Sequence, residues 1–164
     1  NHSKSCNCGC SYECPHLSTT LSPDPVRYPL EPKVIPVVYS LFALKVFKPC
    51  WSCEGHLGPD GEIRKIPKIW FYSESAFYNG LLAYTLSQMK FEKSLKQNWQ
   101  IATSTFDPSA IGLTYSLQPN IDGITIPHLQ LLQELQNDCL SMGKLLESKI
   151  NESSKKLLQG LTQF

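Results

Sequence analysis

The residues best able to do chemistry are concentrated in two short stretches of the chain. Residues 49–56 read Pro-Cys-Trp-Ser-Cys-Glu-Gly-His and place Cys50, Cys53, Glu54 and His56 close together. Cys-x2-Cys is a spacing at which a turn directs two sulfurs at one tetrahedral ion, and His56 would be a third ligand. The pattern therefore favours a metal site, with zinc preferred over an iron–sulfur cluster.

The second stretch lies near the N-terminus and supplies further donors: Cys6, Cys8, Cys10, Cys14 and His16. A complete structural zinc site needs a fourth ligand, and these residues are the candidates. All eight donors together could hold at most two zinc ions.

The number and grouping of the cysteines also favour metal binding. The chain has seven cysteines, an odd number confined mostly to these two clusters, which favours metal binding over a disulfide framework. Disulfides or free thiols are the alternative. Metal-bound thiolates also predict a reducing, cytoplasmic setting.

The same motif allows a thiol-dependent enzyme. Cys53 beside Glu54 and His56 could be a thiolate nucleophile stabilised by an imidazolium, which makes these three the catalytic candidates. The backbone at Gly55 could approach a phosphate or carboxylate ligand, because no side chain blocks it. However, residues two and three apart on a strand or tight turn seldom bring a thiol and an imidazole within hydrogen-bonding distance. Metal binding is therefore the preferred hypothesis.

The composition argues against several other classes of protein, namely duplex nucleic-acid binders, membrane-surface binders and membrane-spanning proteins. The chain has 164 residues, the size of one domain, and a formal net charge of +1. It therefore lacks the broad positive footprint of a duplex nucleic-acid or anionic-membrane binder. Its longest apolar run, residues 34–47, is shorter than the roughly 18 residues that a membrane-spanning helix needs. We expect a soluble domain with no membrane partner.

The sequence up to residue 73 predicts a Cys/Pro-rich segment, a helix and a pair of strands. Residues 1–33 are rich in Cys and Pro and have no helical or strand period, so we expect metal to dock them onto the domain formed by residues 34–164. Residues 34–47 are apolar nearly all round, which indicates a buried helix. Residues 50–54 and the aromatic run 68–73 predict two strands, with a tight turn at Pro59-Asp60-Gly61 between them.

The remainder predicts a second helix, two more strands and a C-terminal helical region. Ser73 or Ser75 can cap a helix that runs to about Lys93. Strands are predicted at 99–106 and 111–117, followed by a loop at 118–127. Leucines from position 129 onward indicate one long amphipathic helix, or two if Gly143 or the polar residues 151–154 break it. Cys139 lies on the apolar stripe of this helix and is predicted to be a core residue.

This order, α-β-β-α-β-β-α, predicts an α+β domain. Its antiparallel sheet would have about four strands, with helices packed on one face. The other face would be available for a ligand or partner. Aromatic residues beside Lys65 and Lys68 could stack bases of single-stranded nucleic acid, although such residues more often belong to a core. They are Trp70, Phe71, Tyr72 and Trp99.

A family resemblance adds a further hypothesis. Residues 52–56 read Ser-Cys-Glu-Gly-His, and residues 67–73 read Pro-Lys-Ile-Trp-Phe-Tyr-Ser. This resembles the Ser-Cys-x-Gly-Arg, turn, Lys-Trp-aromatic-x-Ser pattern of the wybutosine-synthesising tRNA methyltransferase that acts at the third step, with His56 in place of the Arg. The resemblance implies an α+β fold, S-adenosylmethionine as methyl donor, and an RNA substrate near Ser52, Cys53 and His56.

The leading functional hypothesis is a zinc-binding interaction module with its recognition surface at residues 51–56. Its partner would be a protein or an RNA. An RNA-modifying, methyltransferase-like enzyme is the first alternative, with Ser52 and Gly55 as cofactor-binding candidates. A thiol-dependent enzyme that uses Cys53 is the second.

Overall fold

A computed structural model describes residues 29–103 and 114–161 of the chain. The predicted N-terminal ligands lie outside these ranges. The helices are α1 (Ile35–Ala43), α2 (Ala76–Phe91) and α3 (His128–Leu161), and the strands are β1 (Lys48–Cys53), β2 (His56–Leu57), β3 (Ile63–Lys65), β4 (Lys68–Tyr72), β5 (Asn98–Thr103) and β6 (Thr114–Asn120).

Four strands form one antiparallel sheet in the order β1-β4-β6-β5. Helix α1 packs on β1 and α3, and α2 packs on β5 and α3. The predicted α+β architecture is therefore confirmed. A short ribbon formed by β2 and β3 lies between β1 and β4 in sequence and was not predicted. Its turn is the predicted one, since the Gly61 N–H donates to the Gly58 carbonyl at 3.0 Å.

The two faces of the sheet differ because side chains alternate along each strand. On β4, Ile69 and Phe71 are fully buried, and their cross-strand neighbours on β6 include the buried Leu117. Phe47 adds an edge-to-face ring contact with Phe71, with centroids 5.3 Å apart. These residues form the core beneath the helices. The intervening residues of β4, including Trp70, lie on the opposite face.

Helix α1 is shorter than the apolar run that predicts it. The run continues to residue 47, but the helix ends at Ala43 because Lys45 adopts a positive φ of 68°. The N–H groups of Leu44 and Lys45 donate to carbonyls three residues back, which tightens and closes the last turn. Glycine usually occupies such a left-handed position, so a lysine there gives no signal in the sequence.

The second half of the sheet also departs from the predicted boundaries. Strand β5 is described as far as Thr103, and residues 104–113, which include parts of both predicted strands, lie outside the described ranges. Strand β6 continues to Asn120, so the prediction that a loop begins at residue 118 is wrong. Pro119 pairs with Trp99 of β5 and lies beyond the residues of β6 that pair with β4. A proline is tolerated there because, among residues 29–103 and 114–161, it has a ladder partner on only one side.

The C-terminal region is one helix of 34 residues, and neither Gly143 nor the polar residues 151–154 break it. Gly143 allows the two helices to pack closely instead. A Cβ atom at this position would lie 2.8 Å from the backbone carbonyl carbon of Pro36, on α1.

Two further properties of this helix concern its burial. Cys139 is fully buried in the core, as predicted. Within the described parts of the chain, neither α3 nor a shorter helix has the length and apolar character needed to cross a membrane.

The close approach of α1 to α3 can be tested with two glycine substitutions. We expect Gly143→Ala to lower the free energy of unfolding by about 1–2 kcal/mol, since overpacking typically costs 1–3 kcal/mol and the better helix propensity of alanine returns up to about 1 kcal/mol. Gly80→Ala is the matched control, because a Cβ added at that helical position would meet no described atom within 4 Å beyond the neighbouring backbone of its own helix. Urea denaturation of both variants measures the difference, and equal stabilisation by the two substitutions would contradict the packing argument.

Candidate metal centre

Three side chains that can ligate a metal converge at one edge of the sheet. They are Glu31, Cys53 and His56, and their ligand atoms all lie within 4.8 Å of one another. The Nε2 atom of His56 lies 2.8 Å from Oε1 of Glu31. The side chains of His56 and Glu31 are 45% and 29% exposed, so the group is open to solvent.

Each member of this group comes from a different local structure. Glu31 begins the turn that leads into α1, Cys53 ends β1, and His56 begins β2. Gly55, with a φ of +84°, allows the chain to turn between the two strands. The Gly55 N–H donates to Sγ of Cys53 at 3.4 Å, which orients the sulfur. The turn therefore brings a thiol and an imidazole together although only two residues separate them.

Two reciprocal hydrogen bonds hold Glu31 in the group. Oε2 of Glu31 accepts the backbone N–H of Glu54 at 2.6 Å. Oε2 of Glu54 accepts the backbone N–H of Lys33 at 3.0 Å. We refer to this pair of contacts as the Glu31–Glu54 clasp. It fastens the segment before α1 to the turn between β1 and β2, so that Glu31 faces Cys53 and His56.

Gln136 of α3 hydrogen-bonds to both segments that the clasp joins. Its Nε2 atom donates to the carbonyl of Glu54 at 3.0 Å, and its Oε1 atom accepts from Nζ of Lys33 at 2.6 Å. The residue is only 6% exposed. A single buried amide on the C-terminal helix thus holds both sides of the clasp.

Removing this amide should loosen the centre. We expect Gln136→Leu to lower the free energy of unfolding by about 1–3 kcal/mol, because it leaves the Glu54 carbonyl without its donor in a part-buried position. Gln133→Leu, at an exposed position of the same helix, is the control and should change stability by less than about 0.5 kcal/mol. Thermal and urea unfolding measure both variants, and an unchanged stability of Gln136→Leu would show that the contact is not supporting the turn.

The electrostatic environment favours a protonated Cys53. Burial raises the pKa of its thiol, and the negative charge of Glu31 raises it further. The Gly55 N–H and the charge of Lys65 oppose this change without reversing it. Reactive cysteines have a lowered pKa, so these surroundings do not activate Cys53 as a nucleophile. They are compatible with a thiol that loses its proton when a metal binds.

The predicted ligands are distributed unevenly. Cys53 and His56 lie together, whereas Cys50 is not part of the group that the described residues form. The register shifts between Pro49 and Trp51, which marks a bulge at Cys50. Cys50 lines a separate hollow on the sheet, where burial raises the pKa of its thiol to about 11. The remaining predicted ligands, Cys6, Cys8, Cys10, Cys14 and His16, lie outside the described residues.

The other candidate site residues have structural environments of their own. Ser52 pairs with the buried Ile69, so alternation places it on the core side of β1, away from Cys53. Gly55 is buried, and a Cβ atom there would lie 2.7 Å from side-chain atoms of Leu132 and Pro67. Its missing side chain therefore permits close packing. The carboxylate of Glu54 is engaged in the clasp.

Glu31 is the member of the centre that sequence reasoning missed. It is a single acid between Leu30 and Pro32, far from the motif at residues 50–56 in sequence. The available signal was its position in the segment that we expected metal to dock onto the domain. The described end of that segment does contact the motif, through Glu31 and Lys33.

Comparison with known proteins gives no further assignment: no family model, curated protein or solved structure matches the chain. The resemblance to the wybutosine methyltransferase motif therefore rests on residues 52–56 and 67–73. In the structure these residues cover the end of β1, the start of β2 and strand β4. They are neighbours in the fold because β1 pairs with β4.

Proposed function

We propose that this domain is a zinc-binding module in which Glu31, Cys53 and His56 hold the ion. The observation that carries the proposal is the convergence of their three ligand atoms within 4.8 Å, from three different local structures. In this proposal the ion stabilises the contact between the segment before α1 and the sheet. The surface at residues 51–56 beside it would then be presented to a partner.

The chemistry of the donors supports zinc over other common metals. Calcium and magnesium prefer sites made only of oxygen ligands, whereas zinc accepts sulfur, nitrogen and oxygen together. Three protein ligands leave one tetrahedral position for water or for another group. One of the N-terminal donors, Cys6, Cys8, Cys10, Cys14 or His16, would close the site and make it purely structural. A reducing compartment such as the cytoplasm would keep Cys53 available as a ligand.

The thiol-enzyme alternative is less well supported by the same geometry. Its mechanism needs Cys53 as a thiolate near neutral pH, and burial together with Glu31 raises the pKa of this thiol. In addition, Nε2 of His56 contacts Glu31. The arrangement fits metal ligation better than proton transfer from the sulfur to the imidazole.

Metal titration tests the proposal directly. We expect the wild-type chain in reducing buffer to bind zinc, and cobalt substituted for zinc to show a thiolate charge-transfer band. Cys53→Ser, His56→Ala and Glu31→Gln should each weaken zinc binding by at least about 100-fold, because even loss of a residue that only supports a ligand costs 10–100-fold. Cys50→Ser is the matched control, a second part-buried thiol on the same strand, and should retain binding.

A deletion of residues 1–16 separates a closed from an open site. If one of the N-terminal donors is the fourth ligand, the deletion weakens binding but the cobalt band of Cys53 persists. If the site is open, the deletion leaves affinity unchanged. Retention of full affinity by Cys53→Ser, or loss of all metal from the deletion variant alone, would refute the assignment to Glu31, Cys53 and His56.

The protonated state of Cys53 predicts a pH dependence. Because the pKa of this thiol is raised, zinc must displace its proton near neutral pH, so affinity should increase as the pH rises. For one displaced proton the increase is about tenfold per pH unit. Competition with a chromophoric chelator between pH 7 and 8 measures the slope. The Cys53→Ser variant should have a flatter slope, and an equal slope in both proteins would show that the thiol is not a ligand.

A further inference from the structure

A second candidate site lies on the sheet face opposite the helices. It is a hollow of about 340 Å³ lined by Cys50, Trp51, Trp70, Tyr72 and Thr114. Trp51 of β1 pairs directly with Trp70 of β4, so the two indoles lie side by side on the same face. The hollow is at the small end of the range for ligand pockets, which fits one small molecule.

The bulge at Cys50 shapes the interior of this hollow. In a regular strand Cys50 and Trp51 would point to opposite faces, but the extra residue lets both line the same cavity. The Cys50 thiol is neutral, since burial raises its pKa to about 11. The lining residues are therefore uncharged, and most of them are aromatic. Such a surface selects a flat aromatic ring that can stack on indole.

Lys68 does not line the hollow, but it lies beside Trp70, which forms one of its walls. Its Nζ atom lies 5.2 Å from the centroid of the Trp70 ring. Among the described residues no carboxylate forms an ion pair with this lysine. A cationic ligand would make its cation–π contact over the face of Trp70. The ammonium group of Lys68 already lies there and would repel a second cation. An anionic group beside the ring would be attracted.

We propose that this hollow binds a small planar aromatic carboxylate, with its ring stacked on the indoles of Trp51 and Trp70 and its carboxylate beside Lys68. This site is distinct from the metal centre, although Cys53 lies on the same strand as Trp51. Binding requires no metal, so it can be tested separately from the proposed zinc site.

Indole N–H signals in ¹⁵N-labelled full-length chain provide the test. The chain has three tryptophans. Trp51 and Trp70 line the hollow, whereas Trp99 is buried and donates its Nε1–H to Asp138 at 3.0 Å, which makes it an internal reference. With 2-naphthoate as the probe, in EDTA, we expect saturable shifts of the Trp51 and Trp70 signals and none of Trp99. The Cys53→Ser variant should respond in the same way.

Matched probes separate the two parts of the recognition. 2-Naphthamide keeps the ring without the charge and should bind about three- to fivefold more weakly, the size expected for an exposed ion pair. Lys68→Met should remove that difference while its aliphatic stem remains. Cyclohexanecarboxylate keeps the charge without an aromatic ring and should not bind measurably.

Several outcomes would overturn the proposal. One is a linear, non-saturating response, or equal shifts of all three indole signals. Another is equal binding of cyclohexanecarboxylate and 2-naphthoate, which would show that stacking of an aromatic ring on the indoles does not contribute to binding. Tighter binding of 2-naphthylmethylammonium than of 2-naphthoate would reverse the inferred charge. Because the Trp99 signal also reports whether the core is folded, a misfolded Lys68→Met variant would be recognised and replaced by Lys68→Gln.

Discussion

The candidate centre depends on the Glu31–Glu54 clasp. Each carboxylate accepts a backbone N–H from the other's segment, and hydrogen bonds to ionised acceptors are among the stronger ones in proteins. The clasp also places two acidic side chains close together, which makes the neighbourhood electrically favourable for a cation. Without it, the Glu31 carboxylate would lose the backbone hydrogen bond that holds it at the turn beside Cys53 and His56. Gln136 also joins α3 to this edge of the sheet, through its hydrogen bonds to Lys33 and Glu54.

Strand β1 contributes to both candidate sites, and its bulge adds Cys50 to the second one. Cys50 and Cys53 have the spacing of a turn-borne zinc pair, yet they occupy an extended strand, where residues three apart ordinarily face opposite ways. The bulge gives them different surroundings on one side of the sheet: a mostly aromatic hollow for Cys50 and a polar cluster for Cys53. The same Cys-x2-Cys pattern thus supplies one residue to each of two separate environments.

Sequence periodicity was sufficient for the architecture. The aromatic run at residues 68–73 forms strand β4, and the Pro59-Asp60-Gly61 turn is where its composition predicts. Features set by tertiary contact could not be found in this way. The strands β2 and β3 are too short to show a period. Gly143 has the composition signal of a break but serves close packing against Pro36, and sequence alone does not distinguish these roles. Glu31 required knowledge of a contact between segments 23 positions apart.

The anchoring of the clasp by α3 links the centre to the order in which the chain assembles. The hydrogen bond from Gln136 joins residues 82 positions apart, whereas the clasp itself spans 21 and 23 positions. Contacts between distant residues form against a larger loop-closure entropy and therefore tend to be completed late. During synthesis the two glutamates would emerge well before the helix that steadies them. If the proposed zinc site is correct, competence to retain a cation would arise only once α3 has docked.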